Sequence, residues 1–110
     1  NIRLPKIFLQ GDEYIWDYLR GVFDGDGSIS FSGYNYIFRI ASGSIGFLED
    51  LDKVFVGKGF GKFRISKVGE NVWNLRNNTK KEIACIHDMI YKNASFFYPR
   101  KKSKWDSQYI

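Results

Sequence analysis

Cysteine is almost missing from this 110-residue chain, with Cys85 the single copy. That excludes an intrachain disulfide and a cysteine-built zinc site, and it points to a reducing compartment. Histidine is as scarce: His87 is the only one, and no Ser-His-Asp or Cys-His set for nucleophilic catalysis is recognisable. His87 falls near Ile83, Ile86 and Ile90 at helical spacing, so it reads as a packed or capping side chain. No apolar run approaches the roughly 20 residues of a membrane span, and no signal peptide is visible, so neither a membrane partner nor secretion is expected. The first residue is Asn1 rather than Met, as in a processed product or a piece of something longer.

What the chain does have is a core and a charge. Hydrophobic residues make up 44% and aromatics 18%, enough for one packed domain spanning residues 1–110, with most tyrosines and tryptophans read as core. The net charge of +5 suggests an anionic partner, nucleic acid above all.

Along the chain, residues 1–11 read as an extended lead-in, with Pro5 against helix and Gly11 at a turn. Asp12 is placed to cap a helix over residues 13–24, whose apolar positions are Ile15, Tyr18, Leu19, Val22 and Phe23 and which Gly25 and Gly27 stop. Residues 28–32 alternate serine with apolar side chains, and residues 36–41 form their hairpin partner across a turn at Gly33. Ser42 or Ser44 caps a second helix carrying Ile45, Leu48, Leu51, Val54 and Phe55, ended by Gly57 and Gly59. A second hairpin follows over residues 62–66 and 72–76, with Gly69 in its turn. Thr79 then caps a helix with Ile83, Ile86, Ile90 and Tyr91 inward, and a basic segment over residues 99–110 closes the chain. The order is α-ββ-α-ββ-α, an α+β fold with a four-stranded antiparallel sheet and its helices on one face.

Three features carry chemistry. Asp24 and Asp26 alternate with Gly25 and Gly27 at a helix C-terminus, where the dipole is already negative and carboxylates are costly unless a cation offsets them. An EF-hand calcium loop is excluded, because its remaining acidic ligands would fall on Val22 and Gly33. Gly21 and Gly25 stand four apart, the spacing that lets two helix backbones approach closely. The strand face opposite the core carries Ser28, Ser30, Ser32, Arg39, Lys62, Arg64, Asn74 and Arg76 without an acid, side chains able to read bases and hold phosphates.

The run Leu19-Arg20-Gly21-Val22-Phe23-Asp24-Gly25-Asp26-Gly27 resembles the signature of the LAGLIDADG homing endonucleases. It matches at Leu19, Gly21, Asp24, Asp26 and Gly27 and departs sharply only at Arg20, where the namesake motif has Ala. The resemblance extends through both hairpins to the segment Tyr91-Lys92-Asn93-Ala94-Ser95-Phe96-Phe97-Tyr98 and the basic run after it. It implies a divalent-metal-dependent double-stranded DNA endonuclease that uses Mg²⁺ or Mn²⁺. Asp26, with Gly25 beside it, is then the metal site, and Asp24 supports the helix contact. Lys101 and Lys102 approach the scissile phosphate, while Ser42 and Arg100 join the strand residues on DNA. Tyr18, Gly21, Val22, Asp24 and Gly25 would form the seam with a second motif helix, from another copy or from an N-terminal half. A cytoplasmic setting in a bacterium or phage, or a DNA-containing organelle, goes with that reading. The alternative is a DNA-binding module of the same fold without cleavage, of the transcription-regulator or intron-maturase type.

Overall fold

The computed structural model describes residues 3–5, 14–32, 35–91 and 99–106. Within them the order is α1 (Ile15–Asp26), β1 (Gly27–Ser32), β2 (Asn35–Ser42), α2 (Ile45–Gly57), β3 (Arg64–Gly69), β4 (Val72–Asn77), α3 (Lys80–Tyr91) and α4 (Pro99–Asp106). The strands form one antiparallel sheet in the order β1-β2-β4-β3, so the two hairpins join through β2 and β4 at its centre.

Alternation along the strands decides which face is covered. Ile29, Phe38, Ile40 and Leu75 are buried with Phe23 of α1, Leu48, Leu51 and Phe55 of α2, Ile83, Ile86 and Ile90 of α3, and Trp105 of α4. The four described helices therefore feed one core on one side of the sheet; the one-sided arrangement is as the sequence pattern predicts, with a fourth helix added to the expected three. At its centre Phe23 stacks on Phe38 at 5.4 Å, and Trp105 tilts against both at 4.9 and 5.5 Å. Such pairs contribute about 0.5–1.5 kcal/mol each beyond the area they bury.

Several boundaries differ from the sequence reading. Helix α1 does not stop at Asp24; it continues through Gly25 to Asp26, and Gly27 caps it in an extended conformation, its N–H donating to the Phe23 carbonyl. Both acids are thus helical rather than turn residues. The N-cap position belongs to Tyr14, without a side-chain cap; Asp12 and the turn at Gly33 lie outside the described residues. Ser44, not Ser42, caps α2, accepting from Phe47 N–H at 3.3 Å. That helix ends in a Schellman arrangement: Phe60 N–H reaches the Phe55 carbonyl, Gly59 N–H reaches the Val56 carbonyl, and Gly59 takes φ +95°. Gly57 stays helical.

Strand β3 begins at Arg64, leaving residues 61–63 as a connecting segment. Gly69 closes β3 opposite Val72, so the turn is made by Glu70 and Asn71, with Asn71 at φ 57°. Asparagine tolerates that region because its short polar side chain bonds locally, which sequence alternation alone does not reveal. The largest departure is the basic tail. Residues Pro99–Asp106 are a helix, because Trp105, fully buried, anchors that segment in the core.

Candidate nucleic-acid interface

On the uncovered face, the strand registers place Ser28 opposite Arg39, Arg39 opposite Arg76, and Arg76 opposite Arg64. One row therefore crosses all four strands and carries three arginines side by side. Directly opposed like charges destabilise a sheet, and none of the three forms an ion pair among the described residues. Arg39 Nε is buried without a hydrogen-bond partner there. An anion laid on this face would offset that repulsion. At the usual strand spacing of about 4.8 Å the three arginines span roughly 10 Å, close to the width of a DNA major groove.

The neighbouring rows are quieter. Ser30 faces Ile37, and Asn74 faces Ala41 and Ser66. Asn74 is 8% exposed and its Oδ1 accepts from Ser66 Oγ at 3.1 Å, so its amide carbonyl is committed within the sheet. Ser66 belongs on this face and was legible from alternation with Arg64. Ser42 does not: it shares the parity of Ile40, lies half-buried on the helix side, and its Oγ accepts from Ser44 N–H at 3.0 Å. Ser32 pairs with Asn35 in register, and its side chain lies outside the described residues.

At the β3 end the face deepens into a cleft of about 470 Å³ lined by Gly61, Lys62, Phe63, Arg64, Arg76, Asn78 and Thr79. Lys62 is exposed and joins Arg64 and Arg76 there. Asn78 and Thr79 also line it; Thr79 is expected from sequence only as a helix cap, and nothing local marks either residue as part of a cleft.

At the other end of the molecule α1 delivers its acids. Asp26 is exposed and makes no hydrogen bond or ion pair among the described residues, two positions before Ser28 of the arginine row. Asp24 is half-buried. A shallow hollow of about 450 Å³ runs past Asp26, lined by Asp17, Tyr18, Gly21, Val22, Ser42 and Phe47. Among the described residues a Cβ added at Gly21 or Gly25 would meet nothing within 4 Å, so neither glycine makes room for the described core. At Gly27 a Cβ would sit 2.3 Å from Phe23 Cδ1; the absence of a side chain is what lets β1 leave the helix so abruptly.

Arg20, the motif's sharp departure, has a local role. Its Nη1 donates to the Ile90 carbonyl at 2.9 Å and its Nη2 to Asp17 at 2.8 Å, placing a cation on the negative end of α3.

Helix α4 is held by a polar cluster. Asp106 Oδ1 pairs with His87 Nε2, and Lys102 Nζ donates to Asp106 Oδ2 at 2.6 Å while lying 5.4 Å from the centre of the Tyr91 ring. His87 Nδ1 meets Asp88 at 3.1 Å. Burial pushes the Tyr91 phenol well up, and the Asp24 and Asp106 carboxylates add to that. Lys102 is thus committed inside the chain. The side chains of Arg100 and Lys101 lie outside the described residues.

Among the described residues no three His, Cys, Asp or Glu side chains gather to hold a metal ion, and no helix is long and apolar enough to cross a membrane. Comparison with protein-family models, with curated proteins and with solved structures finds no match.

Proposed function

We propose that this chain binds double-stranded DNA and cleaves it with a divalent cation, as one half of a paired assembly of the LAGLIDADG homing endonuclease type. The observation that carries the reading is the acid-free row of Arg39, Arg76 and Arg64 across the sheet, with the exposed carboxylate of Asp26, unpaired among the described residues, at a helix end two residues before its β1 member. The arginines and Lys62 bind phosphates and base edges and fix the duplex on the sheet. The helix α1 then brings Asp26 to the backbone at the edge of that footprint.

The donor set of one chain suits Mg²⁺ or Mn²⁺, which take hard oxygen ligands and complete their sphere with water and substrate phosphates. Asp26 would hold the ion, with the last-turn carbonyl of Gly25, which no further helical residue satisfies, as a second oxygen. Bound there, the cation supplies charge neutralisation at the phosphate and an activated water. One carboxylate per chain makes each copy half of a site. The hollow beside Asp26, with open glycines at 21 and 25 and half-buried Tyr18 and Val22, supports a second motif helix as the supplier of the other carboxylate.

A nicking assay on plasmid or a target library, with and without Mg²⁺, tests the reading. The Asp26→Asn variant is expected to lose metal-dependent cleavage while keeping DNA affinity; cleavage by that variant would overturn the assignment. A non-cleaving DNA-binding module is the second reading, and the engagement of Lys102 by Asp106 favours it, since a lysine so held does not reach a scissile phosphate. Salt-sensitive binding without metal-dependent nicking would select it.

A further inference from the structure

An acid adjoins the basic cleft. Glu82, in the first turn of α3, accepts three hydrogen bonds: from Gly61 N–H to Oε2 at 3.3 Å, from Lys62 N–H to Oε1 at 3.2 Å, and from Asn77 Nδ2 to Oε1 at 2.9 Å. Asn77 is fully buried, and its Oδ1 accepts from Thr79 N–H at 2.7 Å. One carboxylate thereby ties the end of β4 and the start of α3 to the segment 61–63. That segment has no ladder of its own, and a Cβ at Gly61 would meet nothing within 4 Å. Gly61 is exposed, and its N–H is held by Glu82.

We infer that Glu82 is a positioning residue for the cleft, holding the 61–63 backbone so that Lys62 and Arg64 face a phosphate beside Arg76. The inference rests on the DNA-binding reading above. Its sign separates it from simple electrostatics. A carboxylate beside Lys62, Arg64 and Arg76 lowers the positive potential of the cleft, so neutralising it ought to strengthen DNA binding if charge alone mattered. If Glu82 positions the segment, neutralising it weakens binding, and two equally neutral replacements differ. Glutamine keeps an oxygen for Lys62 N–H and Asn77 but cannot accept from Gly61 as well; alanine keeps nothing.

The experiment is equilibrium binding of a mixed-sequence DNA duplex across a salt series, by wild type, Glu82→Gln, Glu82→Ala, Lys62→Ala and the double variant Glu82→Ala/Lys62→Ala, with thermal unfolding of each. The expected order of affinity is wild type, then Glu82→Gln, then Glu82→Ala. The alanine variant should fall about tenfold, the equivalent of one lost charge-assisted contact, and its salt slope should drop by about 0.9. In the Lys62→Ala background the same change should cost less, because the cation it positions is gone. Glu82→Ala and Glu82→Gln binding as tightly as wild type, or tighter, overturns the positioning role. Should the alanine variant not fold, the glutamine variant decides by the same sign. Failure of the DNA reading itself is seen separately, as salt-insensitive or absent binding by the wild type, and takes the role of Glu82 with it.

Discussion

Gly21 and Gly27 stand six positions apart, both backbone without a side chain, and they use that freedom oppositely. At Gly27 the missing Cβ is required inside the chain, against Phe23. Gly27→Ala is therefore expected to cost about 3 kcal/mol through overpacking, measured as a lower urea midpoint. At Gly21 the position is helical and the space is open among the described residues. There Gly21→Ala should raise the stability of the single chain by about 0.5–1 kcal/mol while weakening self-association, because a methyl stands where a partner helix would approach. A variant that loses stability without any change in association would place Gly21 in the fold rather than the seam. Arg20 shows the limit of motif reading at this scale: its identity is explained by a carbonyl seventy residues away, which no local pattern announces.

The last helix changes the meaning of the basic run. In sequence, Arg100 to Lys104 is four cations in five positions; in the fold, α4 is held to the core by Trp105 and to α3 by Asp106. Burial raises the Asp106 carboxyl, but hydrogen bonds from Lys102 and His87 and their charges outweigh it, leaving it below the ordinary carboxylate range. The Arg3 guanidinium, bonded to both Asp50 oxygens, has the same effect on Asp50 against the opposing burial, helped by Leu4 N–H. Both carboxylates titrate lower folded than unfolded. Their stabilisation is fully present above the unfolded carboxylate pKa near 3.9 and is lost as pH falls through the lower folded values. Stability should thus decline below about pH 4, and Asp106→Asn and Asp50→Asn should each be less stable at neutral pH and decline less steeply in acid. Urea midpoints over that range, followed by tryptophan fluorescence, check both.

For the whole molecule the question is one copy or two. The helices cover one face of the sheet and leave the other to a cationic row, while α1 turns a second, flatter surface outward with Asp26 at its end. Pairing through α1 would bring two such carboxylates together and join two sheets into one longer surface, as a two-fold dimer does on a near-palindromic site. Ultracentrifugation is expected to find a dimer, and DNA affinity should fall steeply with salt, with a slope of about 0.9 for each phosphate contacted. A monomer that still cuts both strands would sink the paired arrangement; a monomer that does not cut would point to a missing partner half.

Period and punctuation were enough for much of this. Alternating apolar side chains in residues 28–32, 36–41 and 72–76 set which strand face is buried, and Ile83, Ile86 and Ile90 at helical spacing set which side of α3 turns inward, because the cost of wetting apolar surface acts wherever the chain goes. The arginines of the open face were legible for the same reason, as residues of the opposite parity. Their alignment was not. Arg39, Arg76 and Arg64 become neighbours only through the β2–β4 and β4–β3 registers, which depend on how two hairpins dock, and hydrogen bonds between distant strands leave no period in the sequence. The same holds for Glu82 with Gly61, for Arg20 with Ile90, and for Ser42, whose face follows from pairing with Trp73. Local chemistry determined the elements and their faces. Long-range packing decided which side chains meet, because side chains distant in sequence become partners only once the chain has folded.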